Sequence, residues 1–223
     1  MSAFSGFSEL FGPTLASSAT STVPTSTLSG KHILVYFSAH WCPPCRGFTP
    51  KLCEFVSALR KTNPNFECVF VSSDKDQAEF DGYFETMPFL ALPYADRERK
   101  NALSKRFKVG GIPSLLVLAP DGSVVTDDGR SGVMEDPSGA GFPWTPPTFA
   151  DVFPATLASK AGPVLSSSLD SKHLMLYFSA SWCGPCQSFT PELVKVYEEI
   201  GKSRDDAELV FVSSDEDEAE FEK

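Results

Sequence analysis

The chain has 223 residues, 42% hydrophobic and 22% charged, with a formal net charge of -10 at pH 7. That acidity argues against a nucleic-acid surface, which needs a basic stripe, and the length admits one large domain or two modest ones. No run of about 18 apolar residues occurs, so no membrane span is expected.

The first 30 residues contain no Lys or Arg and no apolar core of signal-peptide length, so neither a secretory leader nor a mitochondrial presequence is expected. Ile33-Leu34-Val35-Tyr36-Phe37 is a continuous apolar run that suits a buried central strand. Arg46 to Arg60 sets Phe48, Leu52, Phe55, Val56 and Leu59 on one helical face, with Pro50 inside it as an expected kink or restart. Phe66 to Val71 reads as a second strand and Gln77 to Glu85 as a second helix. Phe89 to Tyr94 is too short to classify by periodicity. Arg97 to Phe107 reads as a third helix, and Ser114 to Leu118 as a strand joined through the Asp121-Gly122 turn to Ser123–Thr126. Helix-linked strands followed by an antiparallel hairpin imply an α/β sandwich with a mixed sheet.

Between the first strand and the first helix stands Trp41-Cys42-Pro43-Pro44-Cys45. Cys42 is placed at the helix mouth, where unpaired N–H groups and the positive end of the macrodipole favour a thiolate. The two prolines cost the first turn no intrahelical bond and stiffen the loop. A depressed thiol beside a second thiol makes a reversible disulfide exchanger.

The motif occurs twice. Lys31 to Leu52 recurs as Lys172 to Leu193, and Val69 to Asp74 as Val210 to Asp215, at a constant offset of 141 that brings in Trp182, Cys183 and Cys186. Phe11 and Thr14-Leu15 echo Phe153 and Thr156-Leu157, so the Ser/Thr-rich opening is read as the entry to a domain. The chain is therefore divided into a complete module, 1–148, and the N-terminal half of a second, 149–223, with Phe142 to Pro147 as the joint. The counterpart of residues 83–141 is missing from the second half, which reads as a fragment, thermodynamically weak and catalytically minor. Six cysteines, four of them in two Cys-x-x-Cys pairs, fit a reducing compartment, cytoplasmic and also nuclear, not a secreted disulfide framework. Cys53 and Cys68 align with Val194 and Leu209 and read as apolar slots.

With these pieces assembled, the chain resembles the thioredoxin superfamily, in its tryparedoxin and nucleoredoxin branch, and tandem modules favour the nucleoredoxin type. Tyr36 to Pro50, Met87 to Pro93, Phe107 to Leu115 and Phe142-Pro143-Trp144 carry the likeness. The resemblance implies a thioredoxin-like three-layer sandwich followed by a truncated copy. It also implies a cis Ile112-Pro113 bond against the dithiol, where the Ile112 backbone meets a substrate strand. One departure stands out. Where bacterial-type thioredoxins carry a buried Asp, six residues before the first cysteine, this chain has Tyr36 and Tyr177. The acceptor of the Cys45 proton is left open between Asp74 and water. Arg130 falls where tryparedoxins carry a substrate-contacting arginine, within a loose match.

The function expected is thiol–disulfide exchange on protein substrates. Cys42 attacks, Cys45 resolves, and Trp41 packs beside the sulfurs; Ile112 and Pro113 meet the substrate, and Trp182, Cys183 and Cys186 repeat the arrangement. A zinc site is the weaker reading, because zinc needs four ligands and the second cysteine pair belongs to a separate module. No cofactor is expected. There is no glycine-rich dinucleotide fingerprint, so electrons come from a thioredoxin-type reductase, glutathione or another low-molecular dithiol. Two rivals stay open: a redox-sensing binding protein with little turnover, and a scaffold with vestigial chemistry.

Overall fold

The computed structural model describes residues 6–222. Two units are separated between Pro146 and Pro147, so the pairs Phe142–Pro143 and Trp144 belong to the first unit, inside the segment read from sequence as a joint. In chain order this unit comprises α1 (Phe7–Phe11), β1 (Thr14–Ala16), β2 (Thr22–Pro24) and a 3-10 turn (Thr25–Leu28). There follow β3 (His32–Ser38), α2 (Pro43–Leu59), β4 (Phe66–Ser72), α3 (Gln77–Phe84), β5 (Leu90–Ala91) and α4 (Arg97–Arg106). The hairpin strands β6 (Ser114–Leu118) and β7 (Val124–Thr126) and a helix α5 (Gly129–Glu135) complete it.

A strand with no polar alternation is stable only with both faces covered, and that sets the architecture. The sheet order is β2-β1-β5-β4-β3-β6-β7, with β3 parallel to β4 and antiparallel to β6. Leu34 and Tyr36 face one core with Phe48, Leu52 and Phe55 of α2, Phe70 of β4, Phe80 and Phe84 of α3, and Val133 of α5. Ile33, Val35 and Phe37 face the other, with Phe7, Phe11 and Leu103 from α1 and α4. The result is a thioredoxin-like three-layer sandwich around a mixed sheet. Fully burying one such side chain stabilises by about 1.5–3 kcal/mol, so the two cores outweigh local preferences such as that of Pro50. Helix α2 accordingly runs as one element through Pro50 from Pro43 to Leu59, where the sequence suggests a kink or restart. Its apolar face is held along its whole length.

The opening segment is the domain entry expected, and β1 pairs with β5 at the sheet edge. That pairing decides the segment too short to classify: Leu90–Ala91 is a strand because β4 and β1 lie on either side of it. Helix α5 carries no periodic signal long enough to read. It is capped by Asp128, whose carboxylate accepts from Ser131 N. Beyond it Asp136 gathers the Ser138 hydroxyl, the Ala140 and Gly141 N–H groups and the Trp144 indole N–H at 2.8–3.1 Å. These bonds lay Phe142 and Trp144 against Phe55.

The second unit repeats the entry as α6 (Phe149–Val152), β8 (Thr156–Leu157), β9 (Val164–Leu165) and a 3-10 turn (Ser166–Leu169). Then come β10 (His173–Ser179), α7 (Gly184–Ser203), β11 (Ala207–Ser213) and α8 (Glu218–Phe221). Strands β10 and β11 form a two-stranded parallel sheet in the register of β3 and β4. The sequence is equally apolar, yet Phe178 is 65% exposed where its counterpart Phe37 is 1% exposed. Two strands bury too little for independent stability. No helix among the described residues is long and apolar enough to cross a membrane.

Two outcomes follow from this packing. Burial raises the Asp136 carboxyl, but its bonds to Gly141, Ser138, Trp144 and Ala140 prevail and bring it to about 2. A folded pKa below the unfolded one adds stability above the unfolded value, lost as pH falls through the folded value. In urea titrations wild type is expected to exceed Asp136→Asn in stability at pH 6, with the gap closing between pH 4 and pH 2. In limited proteolysis, cleavage is expected throughout 147–222 while the segment 6–146 survives.

Candidate active site

The site is assembled where β3 ends. Ser38 is fully buried, and Ala39 to Trp41 turn the chain into α2 with Cys42 as its N-cap residue. Two ties hold the turn to the end of β4. His40 donates its backbone N–H to Asp74 Oδ1 at 2.6 Å, and the Trp41 indole donates to the Ser73 carbonyl at 2.9 Å. Trp41 stands half-exposed on this tether. Asp74 is buried. Asp76 caps α3, accepting from Glu79 N at 2.8 Å.

Cys42 and Cys45 are both buried free thiols. The Cys42 N–H is taken by the Ala39 carbonyl, and Pro43 and Pro44 have no N–H, so the first donor left in the helix mouth is that of Cys45. The Cys42 thiol lies 3.6 Å from the Ile112 carbonyl, to which it donates. Ile112–Pro113 is cis, as the resemblance implies, and so is Phe142–Pro143, which carries no sequence signal of its own. Arg130 donates to the Pro113 carbonyl at 3.3 Å and lays its guanidinium 5.5 Å from the centre of the Phe48 ring.

Cys45 is one turn further in and fully buried. Burial, and after it the neighbouring Cys42 thiol, push the Cys45 thiol up to about 11, against the opposing hydroxyl of Ser38 and backbone of Ala39. The two Asp74 oxygens accept from the His40 N–H at 2.6 Å and from the Ser72 hydroxyl at 2.7 Å. Beside the cis loop runs a groove of about 390 Å³, lined by Lys108, Gly110, Gly111, Ile112, Asp128 and Arg130 among others. It presents both signs of charge next to an exposed backbone, which suits an extended peptide or a zwitterionic thiol.

In the second unit Cys183 and Cys186 form a disulfide with Cα atoms 5.2 Å apart. The tethers recur: Ser181 N donates to Asp215 at 2.6 Å and the Trp182 indole to the Ser214 carbonyl at 3.4 Å. Gly184 replaces Pro43, and here Cys186 N donates to Cys183 Sγ at 3.3 Å. No counterpart of Ile112–Pro113 stands among the described residues, and Trp182 is exposed. Cys68 is fully buried and Cys53 half-buried; burial raises both thiols. Among the described residues no group of three or more His, Cys, Asp or Glu is placed to hold a metal ion.

A strand-ended dithiol at a helix mouth, facing a cis-proline loop, defines a thioredoxin-type site. A family model described as thioredoxin-like matches residues 30–124 and 170–223. Bovine nucleoredoxin (Bos taurus) is 41% identical over 162 residues, 72% of this chain and 37% of its own length. Zebrafish nucleoredoxin (Danio rerio) is 36% identical over 226 residues, 95% of this chain and 52% of its own. Among solved structures, tryparedoxin II from C. fasciculata superposes with a TM-score of 0.61 at 37% identity, covering 64% of this chain and all of its own. Tryparedoxin II has also been solved in complex with glutathionylspermidine. The chain belongs to the thioredoxin-like family, in its nucleoredoxin and tryparedoxin branch. It spans about a third to a half of these nucleoredoxins, and such relatives support a thioredoxin-like redox function.

The anchoring of the His40 N–H by Asp74 joins residues 34 apart and lies outside any local pattern. Its repetition as Asp215 at the same distance from the motif is the available signal. Asp74→Ala leaves the buried Ser72 hydroxyl without its acceptor, worth about 1–3 kcal/mol, while the partly exposed His40 N–H can turn to water. A loss of about 1–3 kcal/mol is expected in urea denaturation, with the Trp41 fluorescence changing before the global transition.

Proposed function

We propose that this chain is a protein-disulfide reductase working through Cys42 and Cys45, and that its first unit, 1–148 in the sequence division, is the catalytic one. The observation that carries the reading is the Cys42 thiol set against the Ile112 carbonyl at the mouth of α2. A substrate strand pairing with the Ile112 backbone brings its disulfide to that sulfur. The Cys42 thiolate displaces one substrate sulfur and forms a mixed disulfide. Cys45 then attacks Cys42 Sγ, releasing the second substrate sulfur and leaving the Cys42–Cys45 disulfide. Trp41, tethered to Ser73, forms the half-exposed rim against which a partner rests.

Electrons return from outside the chain, through a thioredoxin-type reductase, glutathione or another low-molecular dithiol. The glutathionylspermidine complex of tryparedoxin II and the mixed charge of the groove favour a low-molecular thiol donor carrying both charges. The compartment this chemistry requires is a reducing one, the cytosol and also the nucleus. Cys183 and Cys186, framed by Trp182 but lacking a cis-proline loop among the described residues, contribute little to turnover.

In insulin-disulfide reduction with dithiothreitol, Cys42→Ser is expected to lower the rate to the uncatalysed level. Cys45→Ser is expected to trap substrate as a mixed disulfide on Cys42, detected by mass spectrometry. Cys183→Ser is expected to keep at least half of the activity. Turnover unchanged in Cys42→Ser would defeat the assignment, and a wild-type rate no higher than the uncatalysed one would leave the redox-sensing reading in its place.

A further inference from the structure

Arg97 is the first residue of α4, and nothing local favours it there. A cation in the first turn faces the positive end of the macrodipole. Burial also opposes its charge and lowers its pKa. Its Nη2 is buried with no hydrogen-bond acceptor among the described residues. An arginine placed so unfavourably is held by what it grips.

What it grips is the end of β4. Nη1 donates to the Ser72 carbonyl at 3.0 Å and Nε to the Tyr94 carbonyl. The guanidinium carbon stands 3.9 Å from the centre of the Tyr94 ring. Tyr94 packs on Phe80 of α3 and donates its hydroxyl to the Asp74 carbonyl at 3.3 Å. Residues 72 and 74 are thus both fixed from one side. Between them lies Ser73, whose carbonyl accepts the Trp41 indole N–H at 2.9 Å.

The second unit repeats the tethers without this clamp, since its described residues include no counterpart of Tyr94 and Arg97. Its backbone tether keeps its length: Ser181 N lies 2.6 Å from Asp215, as His40 N does from Asp74. Its indole tether is longer, 3.4 Å against 2.9 Å, and Trp182 is 65% exposed where Trp41 is 47%. The turn that carries the cysteine is therefore held without the clamp, and the tryptophan is not.

We propose that Arg97 is a positioning residue for protein substrates: by gripping the Ser72 carbonyl and the Tyr94 ring it fixes the end of β4, and through the Ser73 carbonyl it sets the indole rim that a partner meets. This rests on the reading of Cys42 as the attacking thiol and Trp41 as the rim. Arg97 touches neither sulfur nor substrate. It acts on the capture of a protein surface, while the attack of Cys42 on a disulfide too small to reach the rim is independent of it.

Insulin reduction with dithiothreitol reads the rim. Reduction of dithiobis-nitrobenzoate by the pre-reduced protein, in the phase that Cys42→Ser abolishes, reads the sulfur alone. Arg97→Met is expected to raise the insulin KM about fivefold, while kcat and the small-disulfide rate change by less than about twofold. Trp41→Phe, which loses the indole N–H, raises the KM as well, and adding Arg97→Met to it changes the KM by less than about twofold. If Arg97→Met shows no cooperative melt, Arg97→Lys takes its place with the same expected pattern, because an ammonium keeps the charge without the planar fork. An insulin KM unchanged in the folded variant overturns the proposal. So does an equal fall in both reactions, the mark of a merely structural role, as does failure of both variants to fold. A full effect of Arg97→Met on top of Trp41→Phe overturns it too. If wild type reduces insulin no faster than the uncatalysed reaction, or Trp41→Phe leaves the KM unchanged, the proposed function has failed at the thiol or at the rim, and this proposal falls with it whatever Arg97 does.

Discussion

Everything in the first unit depends on one strand being buried on both faces. β3 presents Leu34 and Tyr36 to one core and Ile33, Val35 and Phe37 to the other, and its neighbours β4 and β6 close both edges. A chain held in this way has no freedom until its last residue, so the turn out of the sheet starts at a fixed point. That point is Ser38, and four residues later comes Cys42, the N-cap of α2. The chemistry inherits its precision from packing: the dithiol sits on a rigid exit rather than on a free loop, as an oriented reaction requires.

The same constraint explains the tethers. A turn between a buried strand and a buried helix leaves backbone N–H groups with few partners, and each unpaired one costs free energy. Asp74 and the Ser73 carbonyl satisfy His40 and Trp41 from the parallel neighbour β4, whose end lies alongside because the β3–β4 register pairs Ser38 with Ser72. Sheet register, loop anchoring and orientation of the motif are thus one arrangement seen at three scales. The price of this rigidity is a Cys45 thiol raised by burial.

Much of this was legible in residues 31–74, where apolar runs, helical spacing and Cys-Pro-Pro-Cys are local signals. The strands β3 and β4 and the helices α2, α3 and α4 lie within a few residues of their sequence-read bounds. The features that resisted reading are those made by distant partners. Leu90–Ala91 is a strand because of neighbours more than ten residues away. Pro50 stays within one helix because the core holds both sides of it. Asp136 organises Phe142 and Trp144 through hydrogen bonds that no periodicity announces, so that segment resembles a linker in composition and belongs to the core in fact. The hydrogen bonds that join Tyr36, Thr49, Tyr83 and Ser38 were illegible for a related reason, since they link residues up to 45 apart.

The second unit isolates what local sequence can accomplish alone. Its cysteines stand at the mouth of a helix, Tyr177 reaches Thr190 at 2.8 Å, and Asp215 holds the Ser181 N–H as Asp74 holds His40. All of that is encoded between residues 173 and 215. What it lacks among its described residues is everything contributed in the first unit by residues 83–141: the third helix, the hairpin against the central strand, and the cis-proline loop. The frame of the dithiol is therefore separable from the surface that presents it. Two sulfurs can be brought within bonding distance by one strand, one turn and one helix, but a partner strand can be received only where a second loop faces them. In the first unit that facing loop is held by Arg130 from α5, an element more than eighty residues from the cysteines. Under the proposed function, reactivity is local in origin and recognition is a property of the completed sheet.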